Sequence, residues 1–148
     1  ISWLNWKLLE ENRDLFGFVS RLVRFRAEHP VLRRSDYFRD RNSSDYPELS
    51  FHGTLPWQID ENQPFLCFGF MYAEPKVDYG TEGDTFIYCA VNAFWEEKRF
   101  ELPIIPEGFA WRMVEYTGRE GEADCIIRDR AVTLMPRSLM LLTATAGT

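Results

Sequence analysis

The sequence predicts a mainly β fold, an antiparallel β-sandwich preceded by an N-terminal helical segment. From Leu49 onward, short apolar segments alternate with turn-forming stretches rich in Gly, Pro and charge, which is typical of antiparallel β architectures. Before that point, apolar residues recur every three or four positions between residues 6 and 28, which predicts an amphipathic helix. Hydrophobic residues make up 45% of the 148 residues and aromatic residues 16%, enough for a packed core rather than a disordered chain.

The helical segment has recognisable limits. Asn12 is the predicted N-cap and Asp14 lies in the first turn, where an acidic group suits the positive end of the helix dipole. Pro30 ends the helix, and His29 is expected to bond a terminal carbonyl. The apolar stripe consists of Leu8, Leu15, Phe18, Val19, Leu22 and Phe25.

Additional apolar residues, including Phe16 and Val23, widen this helical stripe. A helix that is apolar over so broad a surface needs partners on more than one side. Two interpretations remain open at this point: the helix packs across its own β domain, or it belongs to a larger layer of helices.

Eight strands are predicted after a polar loop at residues 35–48. They cover residues 49–52, 65–72, 85–92, 98–102, 111–116, 125–127, 131–134 and 138–143. The intervening segments 53–63, 74–84, 103–108 and 118–124 are predicted turns. The regular spacing of strands and turns favours a sandwich or barrel.

Charge and cysteine content exclude several classes of protein. The net charge of −6 disfavours binding to nucleic acid and to anionic membrane surfaces. No apolar run approaches the roughly 20 residues of a membrane span. The three cysteines are an odd number, which does not suit a disulfide framework, and Cys67 and Cys89 lie in apolar strands, where buried thiols are expected. This usage fits a reducing cytoplasm.

No catalytic, cofactor-binding or metal-binding residues are predicted. The two histidines, His29 and His52, have no second ligand nearby in sequence, and His52 is expected to be buried with a backbone partner. Aromatic side chains remain, because the C–H groups of a sugar face pack against flat rings. Trp57 and Trp95 flank loop-like segments and are the candidate sugar contacts, although a structural role is the simpler interpretation of each.

Several stretches carry a resemblance to a known family. They are Ile1–Trp6, Arg26–Arg34, Leu49–Gly53 with Pro56 and Trp57, Phe86–Ala93, Arg99–Pro103 with Trp111 and Arg112, and Pro136–Ser138. In this order and spacing they resemble the C-terminal region of isoamylase-type glycogen debranching enzymes, within the α-amylase superfamily of glycoside hydrolases. Residues 57–64 and 74–84 depart from that pattern.

The resemblance implies a division of the chain. Residues 1–35 would be the last helical part of a (β/α)₈ catalytic barrel, and residues 45–146 the C-terminal β-sandwich domain that follows it. The carboxylates that such enzymes use for retaining hydrolysis would lie before Ile1, so this chain is expected to be inactive alone.

Three functions follow as expectations. The first is a non-catalytic C-terminal domain that stabilises the barrel of an enzyme hydrolysing α-1,6 branches in glycogen or starch. The second is a glucan-binding β-sandwich module, and the third is a protein-interaction domain unrelated to sugars. The expected partners are the barrel of the same polypeptide, an α-glucan such as glycogen, and a second copy of the chain that associates through the exposed helix.

Overall fold

The computed structural model describes residues 3, 5–40, 46–59, 66–73, 86–119 and 124–146. The chain divides into two compact units, Ile1–Asp36 and Tyr37–Thr148. The helices are α1 (Lys7–Glu11), α2 (Arg13–Glu28) and a 3₁₀ helix (Pro30–Arg33). The strands are β1 (Leu49–His52), β2 (Cys67–Ala73), β3 (Phe86–Asn92), β4 (Lys98–Glu101), β5 (Phe109–Tyr116), β6 (Cys125–Ile127), β7 (Ala131–Leu134) and β8 (Ser138–Ala146).

Helix α2 begins and ends close to where the sequence predicts. Asn12 does separate α1 from α2, but its side chain makes no capping hydrogen bond with α2. Its Nδ2 instead donates to the carbonyl of Leu8 at 2.9 Å, because the preceding turn is already helical and offers that carbonyl. At the other end, His29 adopts an extended conformation before Pro30, and its Nδ1 lies 2.7 Å from the carbonyl oxygen of Phe25, as expected.

The β unit consists of two antiparallel sheets of unequal size. Six strands form the larger sheet in the order β1-β2-β3-β8-β5-β6, while β4 and β7 form the smaller one. All eight predicted strands are present, and β5 and β8 extend beyond their predicted ends. The predicted fold class, an antiparallel β-sandwich after a helical segment, is therefore confirmed. The predicted loop at 74–84 lies outside the described residues, as do residues 60–65, which include the end of the predicted turn 53–63.

The core lies between the two sheets. Phe100 and Leu134, from the smaller sheet, are fully buried against side chains of the larger one. The larger sheet contributes alternate residues, among them Met71, Tyr88 and Leu142. Successive side chains of a strand point to opposite faces, so one face of each strand fills this core and the other face points away from it.

Candidate functional site

Trp57 lies in the turn after β1 and covers a buried histidine. Its backbone N–H donates to Nδ1 of His52 at 2.9 Å, and the two rings meet edge to face at 4.7 Å. The residue has a φ of 63°, in the left-handed region that a bulky side chain rarely adopts. The side chain is half exposed, and the ring of Tyr46 lies 6.5 Å away. Trp57 is thus held in an unusual conformation by its contact with His52.

His52 forms a buried pair with Ser50, which precedes it by two positions on the same face of β1. Nε2 of His52 and Oγ of Ser50 are 2.9 Å apart. Because Nδ1 accepts the N–H of Trp57, the proton of the neutral ring is on Nε2, which donates to Ser50. His52 therefore cannot accept the proton of Ser50, and the pair is not arranged as a nucleophile and its base. Burial lowers the pKa of His52 to about 4, so the ring is neutral at pH 7.

Trp95 lies in a different setting, in the loop between β3 and β4. Its indole stacks on the ring of Phe94, with centroids 3.9 Å apart and planes inclined by 26°. Nζ of Lys98 lies 4.4 Å from the centroid of Phe94. The side chain of Trp95 is 64% exposed. The two tryptophans selected from the sequence thus contact different neighbours, and only Trp95 offers a broadly accessible ring.

Asn92, at the end of β3, holds the loop that carries Trp95. Its Oδ1 accepts the backbone N–H of Phe94 at 3.1 Å. Its Nδ2 donates to the carbonyl of Glu96 at 2.9 Å and lies 2.9 Å from the carbonyl of Met135 and 3.2 Å from that of Leu134. The side chain is fully buried. Sequence reasoning missed this residue because its partners around Met135 are more than 40 positions away.

Across β1, β2, β3 and β8, the face of the larger sheet that points away from the core is mostly apolar, whereas on β5 it carries Arg112 and Glu115. One row of directly paired residues crosses four strands: Phe51, Phe70, Cys89 and Leu141. A second row contains Leu49, Tyr72, Ile87 and Thr143, and a third contains Phe68, Val91 and Leu139. We call these three rows the outer face. Ile87, Cys89 and Thr143, near the middle of the outer face, are buried within this chain, whereas Phe51, on the edge strand β1, is 57% exposed.

The helical unit carries an exposed apolar surface of its own. Leu15, Val19 and Val23 follow one another at four-residue intervals along α2, and all three are exposed, as is Phe16. Phe25 is the one buried side chain of α2.

The cysteines are free thiols in three different environments. Cys89 is buried, and burial raises the pKa of its thiol to about 12. Cys67 is partly buried, which raises its pKa, and its thiol lies 3.3 Å from Oδ1 of Asn92. Cys125 is exposed on β6. The described residues contain no group of three or more His, Cys, Asp or Glu side chains that could hold a metal ion. They also contain no helix long and apolar enough to cross a membrane.

Comparison with known proteins gives one consistent relationship. The chain is 26% identical over 148 residues to the isoamylase of Pseudomonas amyloderamosa, a match that covers 99% of the chain and 17% of that enzyme. It is 31% identical over 127 residues to the chloroplastic isoamylase 3 of Oryza sativa subsp. japonica, covering 85% of the chain and 14% of that enzyme. The chain thus spans about one sixth of the length of these relatives. No family model matches it.

Among solved structures, the chain resembles the trehalulose synthase of Pseudomonas mesoacidophila with a TM-score of 0.48 and 14% identity, over 88% of the chain and 18% of that enzyme. The family assignment rests on the sequence matches, which run almost from end to end of the chain. The chain is an isoamylase-type segment, similar in sequence to one part of those longer enzymes.

Proposed function

We propose that this chain is the C-terminal part of a glycoside hydrolase of the isoamylase type, and that its β unit stabilises the catalytic barrel without supplying catalytic residues. The parent enzyme would hydrolyse α-1,6 branch points of glycogen or a related glucan in the cytoplasm. The similarity to isoamylases over 148 residues supports the class of the parent. The three free thiols suit a reducing compartment.

The observation that carries the stabilising role is the outer face. An antiparallel sheet with one solvated face normally alternates apolar and polar residues, whereas strands β2, β3 and β8 carry mostly apolar residues on both faces. On the face away from the core, Phe51 pairs directly with Phe70, and Cys89 pairs with both Phe70 and Leu141. Ile87 and Cys89 are already buried, so the part left open is the edge at Phe51, and an exposed apolar side chain beside an apolar face is a candidate interface between domains or proteins. Packed against a barrel, it would bury rings and aliphatic side chains and so stabilise both partners.

The helical unit supports the same proposal. The exposed side chains of Leu15, Val19 and Val23 form a second apolar surface on α2. In the parent enzyme this helix would be the last of the barrel, and neighbouring barrel helices would cover it. The catalytic barrel of the parent enzyme is the proposed occupant of the outer face.

The test uses the full-length parent enzyme with Phe51→Asp. Placing a carboxylate within a buried apolar interface is costly, so we expect the melting temperature of the enzyme to fall by several degrees. The rate per folded molecule, measured as reducing ends released from amylopectin below the melting temperature, is expected to stay unchanged.

Ile104→Asp is the matched control, because Ile104 is similarly exposed but lies in the loop between β4 and β5, away from the outer face. It is expected to leave both quantities unchanged. The proposal fails if Phe51→Asp does not lower the melting temperature, or if the parent reading frame contains no barrel before this segment. The proposal would also be contradicted if Phe51→Asp and Ile104→Asp lowered the melting temperature by the same amount.

A further inference from the structure

We propose that Trp95, stacked on Phe94, forms a binding platform for the pyranose rings of a neutral glucan. The platform is the loop between β3 and β4, with Phe94, Trp95, Glu96 and Lys98 as its side chains. Trp57 is not part of it. The choice of an α-glucan among neutral glucans rests on the proposed function, whereas the platform itself rests on the geometry of this loop.

The first observation is an exposed ring that is nevertheless fixed. Single exposed aromatic residues are common on protein surfaces and carry no functional meaning by themselves. Trp95 differs because its indole is 64% exposed and also stacks on Phe94 at 3.9 Å. Phe94 is flanked in turn by the ammonium group of Lys98, at 4.4 Å from the ring centroid. The indole thus presents a flat surface supported from beneath.

The second observation is that hydrogen bonds hold the backbone of the loop at Ala93, Phe94 and Glu96. The N–H of Ala93 donates to the carbonyl of Leu66 at 2.7 Å, and the N–H of Arg137 donates to the carbonyl of Phe94 at 3.1 Å. Asn92 bonds the N–H of Phe94 and the carbonyl of Glu96 from within the core. A ring held this way loses little conformational freedom when a ligand stacks on it, so less of the binding energy is lost to ordering.

The third observation concerns two polar side chains, those of Lys98 and Glu96, near the ring of Phe94. Nζ of Lys98 and Oε2 of Glu96 are 3.3 Å apart, and the carboxylate is largely exposed. They provide a hydrogen-bond donor and an acceptor beside Phe94, the ring on which Trp95 stacks, which matches the alternating hydroxyl edges and C–H faces of a pyranose. Glu96 and Glu97 together with the chain's net charge of −6 disfavour a polyanionic ligand such as nucleic acid.

Trp57 lacks these properties. Its backbone N–H and its ring are both engaged with His52, in a strained left-handed conformation. These contacts with His52 explain the position of Trp57, whose ring packs over the buried histidine. The two tryptophans therefore have separate roles.

The experiment measures binding of the complete 148-residue chain by electrophoresis in native gels that contain glycogen or hydroxyethylcellulose. The variants are Trp95→Ala and, as a control, Trp6→Ala, which removes an exposed tryptophan from the helical unit. We expect glycogen to retard the unaltered chain and Trp6→Ala equally. Trp95→Ala should raise the apparent Kd about tenfold or more, the size typical of losing a central aromatic contact. Circular dichroism confirms that the variants are folded.

A second measurement titrates the chain with maltoheptaose and follows tryptophan fluorescence, whose change should disappear in Trp95→Ala and persist in Trp6→Ala. The platform is overturned if neither polymer retards the unaltered chain, or if Trp95→Ala is retarded as strongly as the unaltered chain. Retardation by hydroxyethylcellulose alone, abolished by Trp95→Ala, would support the platform and count against the α-glucan, and hence against the proposed function. Failure of Phe51→Asp to destabilise the parent enzyme bears on the proposed function alone.

Discussion

His52 makes the stability of this chain depend on pH. The ring is neutral in the folded state and has a pKa of about 4, against 6.5 for an unperturbed histidine. Between these values the unfolded chain binds a proton that the folded chain does not, so stability contributed by this site falls as the pH drops from 6.5 to 4. The full difference is of the order of 3 kcal/mol.

We therefore expect the free energy of unfolding to decrease between pH 6.5 and 4.5, and His52→Asn to flatten this dependence. Asn removes the titrating ring and retains an acceptor for the N–H of Trp57. Urea unfolding at several pH values measures the effect, and an NMR titration of the ring protons gives the pKa directly. A pKa near 6.5 for His52 would contradict the buried, neutral ring.

Tyr88 carries a buried hydroxyl that has no hydrogen-bond partner among the described residues. The hydroxyl lies over Gly69, where a Cβ would come within 2.7 Å of Cζ of the tyrosine ring. Burial of the hydroxyl raises the pKa of Tyr88, with the neighbouring Cys89 as a second cause. An unsatisfied buried hydroxyl costs about 1–3 kcal/mol.

Tyr88→Phe removes only this hydroxyl, so we expect the free energy of unfolding to stay the same or to rise by about 1 kcal/mol. Equilibrium unfolding in urea provides the measurement. Gly69→Ala, which would place a methyl group against the ring, should instead destabilise the fold. A clear loss of stability in Tyr88→Phe would mean that the hydroxyl has a partner.

At the scale of elements, Asn92 joins β3 to the Trp95 loop and to the turn between β7 and β8. Its amide is held by carbonyls at Glu96 and Met135, and its carbonyl oxygen by the N–H of Phe94. We expect Asn92→Ala to lower the free energy of unfolding by about 3 kcal/mol, because several buried backbone groups lose their partner together.

Asn92→Asp distinguishes hydrogen bonding from packing at this position. It keeps the shape of the side chain but replaces the donor amide with an acceptor that faces carbonyl oxygens, so it should destabilise as much as Ala does. Ser138→Ala, which removes a single bond from the hydroxyl to the carbonyl of Met135, should cost only about 1 kcal/mol. Equal effects of all three changes in urea unfolding would argue against Asn92 as the principal link.

The position of helix α2 could be predicted from its own sequence, whereas the hydrogen bonding of its N-terminal cap could not. The periodic apolar residues and Pro30 define the element and its end. Whether Asn12 caps α2 depends on the conformation of the preceding residues, and here the side chain bonds Leu8 of α1. The two candidate tryptophans show the same limit, since their loops were identifiable from sequence but their neighbours were not.

At the scale of the whole molecule, the exposed apolar surface of α2 predicts self-association of this chain. We expect a mass above that of a monomer in size-exclusion chromatography with light scattering at micromolar concentration. Val19→Glu should shift the chain toward monomer, because it places a charge within the apolar surface. Arg24→Gln changes the net charge by the same amount outside the stripe and should have no effect.

If the chain is monomeric at these concentrations, the helix does not act as an interface between copies. If it associates and Val19→Glu leaves the mass unchanged, the outer face is the alternative surface, and Phe51→Asp then becomes the informative variant. Either result would contradict self-association through α2.

The sequence by itself determined the fold class, the number of strands and the position of the helix. Each depends on a local period, 3.6 residues for the helix and 2 for the strands, which neighbouring residues display directly. The sequence also showed the resemblance to isoamylases, because that resemblance depends on the order and spacing of short motifs along the chain. The expectation that His52 is buried with a backbone partner is confirmed as well.

Only the tertiary structure decided which side chains act together. The outer face appears once the register of four strands is known, because directly paired residues such as Phe51 and Phe70, or Cys89 and Leu141, are distant in sequence. The same holds for Asn92, whose partners come from three segments, and for Trp95, whose exposure depends on the packing of Phe94. Local patterns specify elements, whereas contacts between elements depend on long-range pairing that no single segment encodes.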